Sequence, residues 1–176
     1  MLGIAFGATG SYFASDLLQH VKNPDQPYAD EFGRSISSLS AKDVEQLKTG
    51  QGWGLAKPAE FNGYPGPTHI IEFSEQLDLD AGQKTAIESS FSRMRAKAVN
   101  LGQALIEAER ALDAAFLNKT ITNEKLDRLL SEAERARAQL RAVHLAAHLE
   151  VTPVLSDAQR VKYASLRGYS NGHRGH

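Results

Sequence analysis

The chain has 176 residues, 41% of them hydrophobic and 23% charged, with a net charge of −1 and no cysteine. That length gives room for one domain with a real core, or a compact domain with a tail, and the composition is that of an ordinary soluble globular protein. The missing cysteine excludes disulfides and thiolate metal sites. The near-neutral charge and 7% aromatic content give no basic field or stacking surface for nucleic acid.

In chain order, residues 1–14 are apolar and small (MLGIAFGATGSYFA). They are too few to span a bilayer and lack the basic start of a secretory signal. They read either as a signal or anchor remnant or as a loosely packed end. Residues 15–67 read as an irregular arm followed by a Gly/Pro-rich loop. Asn23-Pro24, Gln26-Pro27 and Gly33 break the arm. Ser40, with Asp43 three residues on, predicts a capped short helix to about Thr49. The stretch GQGWGLAKPAEFNGYPGP, residues 50–67, carries the turn chemistry of Asn62-Gly63 and Pro65-Gly66-Pro67.

From residue 68 to 168 the pattern is helical. A short helix is predicted over 68–77. Residues 81–117 place Ile87, Phe91, Met94, Ala98, Leu101, Leu105, Ala108, Leu112 and Phe116 at mostly alternating steps of four and three, the spacing of a helix with one apolar seam. Such a helix is roughly 55 Å long. Residues 117–121 break it, Thr122 can cap the next, and Leu126, Leu129, Ala133, Ala136, Leu140, Val143 and Ala147 repeat the seam. A break that short predicts an antiparallel return. Pro153 ends the second long helix, a last helix is predicted over 157–168, and residues 169–176 form a flexible tail. The predicted fold is thus all-α: a long antiparallel helical hairpin with short flanking helices and an irregular N-terminal arm. Its seams predict a homodimer through the long helices.

One pattern occurs twice. Leu79 to Gln83 reads L-D-A-G-Q, and Leu155 to Gln159 reads L-S-D-A-Q. Asp80 and Ser156 are helix N-cap residues, and Gln83 and Gln159 stand where a side chain reaches back to the cap's own N–H, forming capping boxes. Leu79 and Leu155 precede them as apolar staples. Two such boxes bracketing a helical hairpin resemble the Spy/CpxP family of periplasmic proteins, whose hallmark is a doubled L-T-x-x-Q motif; here aspartate and serine replace the threonines. The resemblance covers roughly residues 68–168. It implies an all-helical, hairpin-based dimer in the periplasm, among relatives that include ATP-independent chaperones, envelope-stress regulators and heavy-metal sensors.

The candidate site residues are helix-borne. His144 and His148, in H-L-A-A-H, stand one turn apart on one face, a separation that can chelate a divalent ion. Otherwise they are partly exposed polar neighbours of the Val143/Ala147 seam. Folding about residue 120 brings them level with residues 92–96, with Met94 as a soft thioether for copper and Glu88 one turn away. His69 and Glu72, at i and i+3, can complete the site or form a solvated pair. The family's metal sensors use His, Glu and Met ligands on helices, which favours the metal reading. Gly50, Gly52 and Gly54 follow a helix rather than a strand, so they do not form a dinucleotide motif. Trp53, Phe61 and Tyr64 are expected as a lid over the helices or as a partner-binding surface. The basic residues Arg93, Arg95, Lys97, Arg135, Arg137 and Arg141 are expected on a solvated face, or as a client cradle. No catalytic constellation is present. The expected function is a non-enzymatic periplasmic stress protein that binds or senses zinc or copper. The alternative is an ATP-independent chaperone for unfolded clients, or a regulatory partner of a membrane stress sensor.

Overall fold

The structure, a computed structural model, describes residues 28–169. The expectations for residues 1–27, and for the tail beyond Tyr169, lie outside them. The chain divides into two units, the first ending at Gly33 and the second starting at Arg34. Of the first, the described part holds one 3₁₀ turn, Ala29–Glu31.

In the second unit, helices follow one another without strands among the described residues: α1 (Ala41–Thr49), α2 (Lys57–Glu60), α3 (Pro67–Glu72), α4 (Ala81–Leu117), α5 (Asn123–Val151) and α6 (Asp157–Leu166). No helix among these residues is long and apolar enough to cross a membrane. The long helix α4 packs against α5. Ala98, Leu105 and Ile106 of α4 meet Ala133, Ala136 and Leu140 of α5 in one buried cluster. The exposed pair Arg93–Glu150 and the more enclosed pair Glu109–Arg137, 3.0 Å, also link the two helices.

Three of these helices begin with capping boxes, each for a local reason. Asp43 N–H donates to Ser40 Oγ at 3.1 Å, and Ser40 N–H donates to the Asp43 carboxylate at 2.9 Å. Asp80 with Gln83, and Ser156 with Gln159, make the same reciprocal bonds at the starts of α4 and α6. The staples Leu79 and Leu155 are buried with Leu77, Ile87, Val151 and Tyr163 in a second cluster, at the end of α4 away from residue 117.

Two stretches differ from expectation. The Gly/Pro-rich loop contains α2, because Pro58 sits in its first turn, where the missing N–H costs nothing. The helix expected over 68–77 stops at Glu72, and residues 73–78 continue as turns. Segment 34–39, part of the irregular arm, is anchored on the helices. Ile36 and Leu39 are fully buried in the first cluster, Ser37 N–H donates to Asp113 at 2.6 Å, and Ser38 Oγ donates to the buried Glu109 at 2.8 Å. Gly102 allows α1 to lie directly on α4: a Cβ there would stand 2.3 Å from the Leu47 carbonyl oxygen.

Candidate functional site

A cavity of about 620 Å³ opens among the loop 49–57, the start of α3, the face of α4 near Met94, α5 near His148, and the end of α6. Of the residues singled out from sequence, His144, His148, His69, Glu72 and Met94 all line it. Glu88 does not: it is exposed, one residue past the fully buried Ile87 and therefore turned away from the packed face of α4. His69 and Glu72 bond to each other, Nδ1 to Oε2, at 2.8 Å near the surface.

The two α5 histidines are buried, His144 at 3% and His148 at 7% exposure. They lie on the same inward stripe as Leu140, Ala147 and Val151. His144 Nε2 is enclosed without a hydrogen-bond partner. Burial first, and the neighbouring His148 second, push the pKa of His144 down to about 4. It is therefore a neutral imidazole at pH 7.

His148 is oriented from outside its helix. Its Nδ1 lies 2.7 Å from the Tyr64 carbonyl oxygen. A carbonyl only accepts, so Nδ1 carries the proton, and in the neutral ring Nε2 keeps its lone pair. A backbone carbonyl that fixes the tautomer in this way is the usual support of a metal-binding imidazole. Gly66 leaves room beside the ring: a Cβ there would stand 2.8 Å from Cε1 and 3.0 Å from Nε2.

A second network secures the loop that carries Tyr64 and Gly66. The carboxylate of Glu60 accepts from Tyr163 Oη at 2.6 Å, from Arg167 Nε at 3.0 Å and from Tyr169 Oη at 3.2 Å. Tyr163 Oη in turn accepts from Gly66 N–H at 3.3 Å. Burial and the Glu60 carboxylate push the Tyr163 phenol up, so it stays a donor. The other oxygen of Glu60 lies 3.8 Å from His148 Nδ1. Sequence reasoning missed this cluster, whose members lie about a hundred positions apart; the glutamate is inconspicuous inside a glycine-proline loop.

The aromatic residues of the loop separate. Trp53 is half buried against the first cluster, donates from Nε1 to Asp43 at 2.7 Å, and has Arg137 over its ring at 5.1 Å. Phe61 and Tyr64 stay exposed at 43% and 41%, with Phe61 edge-on to Tyr169.

The donor set has a definite limit. Among the described residues, no three His, Asp or Glu side chains gather as a metal-holding group. The cavity wall carries His69, His144, His148 and the Met94 thioether, with His144 Nε2 itself enclosed. In comparisons with known proteins, no family model, curated protein or solved structure matches this chain.

Proposed function

We propose that the protein is a non-enzymatic binder or sensor of a divalent metal ion, zinc or copper, held by His144 and His148. The supporting observation is the pair of buried imidazoles one turn apart on a cavity wall, one with an unpartnered Nε2 and the other with its tautomer set by Tyr64. Met94 lines the same cavity and supplies a soft contact that suits copper. His69 and Glu72 lie at the rim as secondary contributors. On the resemblance of the doubled capping motif, the protein works in the periplasm as part of an envelope-stress response. It is built as an antiparallel hairpin of α4 and α5 behind an irregular N-terminal arm. The pairs Arg93–Glu150 and Glu109–Arg137, whose numbers run in opposite directions, support that reading. Leu130 and Leu149 of α5, 43% and 59% exposed, support a homodimer through the long helices.

Calorimetric titration with zinc and with copper tests the metal reading. Binding near one ion per chain, lost in the His144→Ala/His148→Ala variant, is the expected result. Equal binding by the variant, or none by either protein, removes it.

A chaperone reading draws on the exposed Phe116 and Leu117, 54% and 82% accessible at the end of α4. Suppression of client aggregation without ATP, unchanged by a chelator, would favour it over metal binding.

A further inference from the structure

We propose that the cavity binds a small organic anion, an acidic head on an apolar body, through Lys57 and Arg95. This goes beyond the metal reading above and uses neither His144 nor His148.

The glycine string supplies the setting. Gly50, Gly52 and Gly54 carry the chain from α1 toward α2, and all three line the cavity. Gly50 has φ +68° and Gly54 φ +70°, and Trp53 between them holds +44°. Side chains rarely adopt such angles, so glycine suits this path. The path leaves the N–H groups of Gly52, Trp53 and Gly54 without a hydrogen bond among the described residues. Successive free N–H groups in a turn are suited to an anion.

Two cations stand against the same loop. Arg95 Nε donates to the Thr49 carbonyl at 3.2 Å, and a Cβ on Gly50 would lie 3.2 Å from Arg95 Cγ. The Lys57 ammonium lies 3.5 Å from where a Cβ on Gly54 would stand. Both residues line the cavity, and neither forms an ion pair among the described residues. The carboxylates of the lining are already engaged, Glu60 with Arg167 at 3.0 Å and Glu72 with His69 at 2.8 Å. The unmatched charge on the wall is therefore positive.

Much of the remaining wall is apolar. Phe61, Phe91, Met94 and Tyr169 line the same cavity, with Phe61 edge-on to Tyr169. A volume of about 620 Å³ falls in the range of small-molecule pockets, where apolar walls hold the body and a few polar groups fix the head. An inorganic anion would leave the apolar wall uncovered. A neutral apolar molecule would leave both cations unmatched. An organic anion matches both, with charge-assisted hydrogen bonds from Lys57 and from the terminal amino groups of Arg95.

Trp53 is the chain's one tryptophan and lines the cavity, so its fluorescence reports occupancy. The test is a fluorescence titration of the full chain at pH 7, with EDTA present, using octanoate, 1-octanol and acetate as probes. Octanoate should bind at least about tenfold more tightly than 1-octanol, the gain from one or two hydrogen bonds to charged groups. Acetate, which lacks the apolar body, should bind at least about a hundredfold more weakly than octanoate. Lys57 and Arg95 are exposed, so the Lys57→Ala/Arg95→Ala variant should fold, and it should bind octanoate no better than 1-octanol. Lys42→Ala/Arg110→Ala removes the same charge from exposed positions outside the lining and should keep the preference. The inference is overturned by octanol or acetate binding as tightly as octanoate, or by no binding of octanoate. It is equally overturned if the first variant keeps the preference or the second loses it. None of these outcomes bears on the metal reading, which the zinc and copper titrations test separately.

Discussion

Gln83 and Gln159 hold each other by a closed pair of amide bonds. Gln83 Nε2 donates to Gln159 Oε1 at 2.9 Å, and Gln159 Nε2 donates to Gln83 Oε1 at 3.0 Å. Each amide spends its other N–H on a carbonyl of the opposite segment, Val154 for Gln83 and Leu77 for Gln159. Each oxygen also accepts from its own cap, Asp80 N–H or Ser156 N–H. All donors and acceptors of both side chains are thereby used. The repeated pentapeptide is therefore more than two helix starts. It is a clasp that ties the start of α4 to the start of α6.

The clasp sets the first expectation. Gln83→Ala or Gln159→Ala strands part-buried partners and should each cost about 1–3 kcal/mol in urea denaturation. The double variant should cost less than the sum of the two, by on the order of 1 kcal/mol, because the second loss finds its partner already gone. Strict additivity would show that the capping bonds act alone.

Gly102 carries the second. In an exposed helix, Gly→Ala gains up to about 1 kcal/mol of propensity. Here the added Cβ meets the Leu47 backbone oxygen at 2.3 Å, and backbone yields little. Gly102→Ala should lower stability by about 1–3 kcal/mol, whereas Gly52→Ala, with nothing within 4 Å, should be near neutral. Thermal melts of the two variants make the comparison.

Proton linkage at His144 gives the third. Its folded pKa, about 4, lies below the ordinary imidazole value of 6.5. Below pH 6.5 the unfolded chain takes up a proton that the folded chain refuses, so stability falls as pH drops from about 6.5 to about 4 and levels off below that. The full span is on the order of 3 kcal/mol. His144→Leu should flatten this part of the stability–pH curve, even if its stability at pH 7 also changes. An unchanged slope would mean that the imidazole titrates normally in the folded chain.

Gly66 supplies the fourth. Gly66→Ala places a methyl group 3.0 Å from His148 Nε2, in the space a ligand of that nitrogen needs. Metal affinity should drop by about tenfold or more, comparable to loss of an oriented ligand's support, although residue 66 has no ligand atom of its own. Titration of this variant beside the histidine variants reads the effect.

Much of this architecture was legible locally. The seam of α5, most of that of α4, and the caps Ser40, Asp80, Thr122 and Ser156 follow from spacings of three and four; Phe116, expected in the α4 seam, is exposed, and the burial of His144 and His148 is not read from that spacing. What sequence does not carry is distance in the chain. The clasp joins residues 76 positions apart, and its reciprocity cannot be read from either box alone. Ile36 and Leu39, set among serines, show no period, yet both are fully buried. Glu88 illustrates a subtler limit. Folding the chain about residue 120 estimates depth along a helix, while the face depends on the 100° step from Ile87 to Glu88, which carries the carboxylate out to solvent.

The Glu60 cluster supports a fifth expectation. Tyr163→Phe removes the donor to a nearly buried carboxylate and the acceptor for Gly66 N–H, and should cost about 1–3 kcal/mol. Tyr169→Phe, which removes the longer 3.2 Å bond of a more exposed phenol, should cost less. Urea midpoints rank the pair, and the reverse order would assign the anchoring role to Tyr169.

That same carboxylate fixes when the cavity can exist during synthesis. Glu60 leaves the ribosome 103 residues ahead of Tyr163. Until α6 has been translated, nothing from that helix secures the loop that aims His148. Chains usually fold in units as they emerge, so α1, α4 and α5 can associate first, with the histidine wall left slack. The cavity closes last, as α6 comes off the ribosome, and a nascent chain stalled before Tyr163 would lack the contacts that secure its wall.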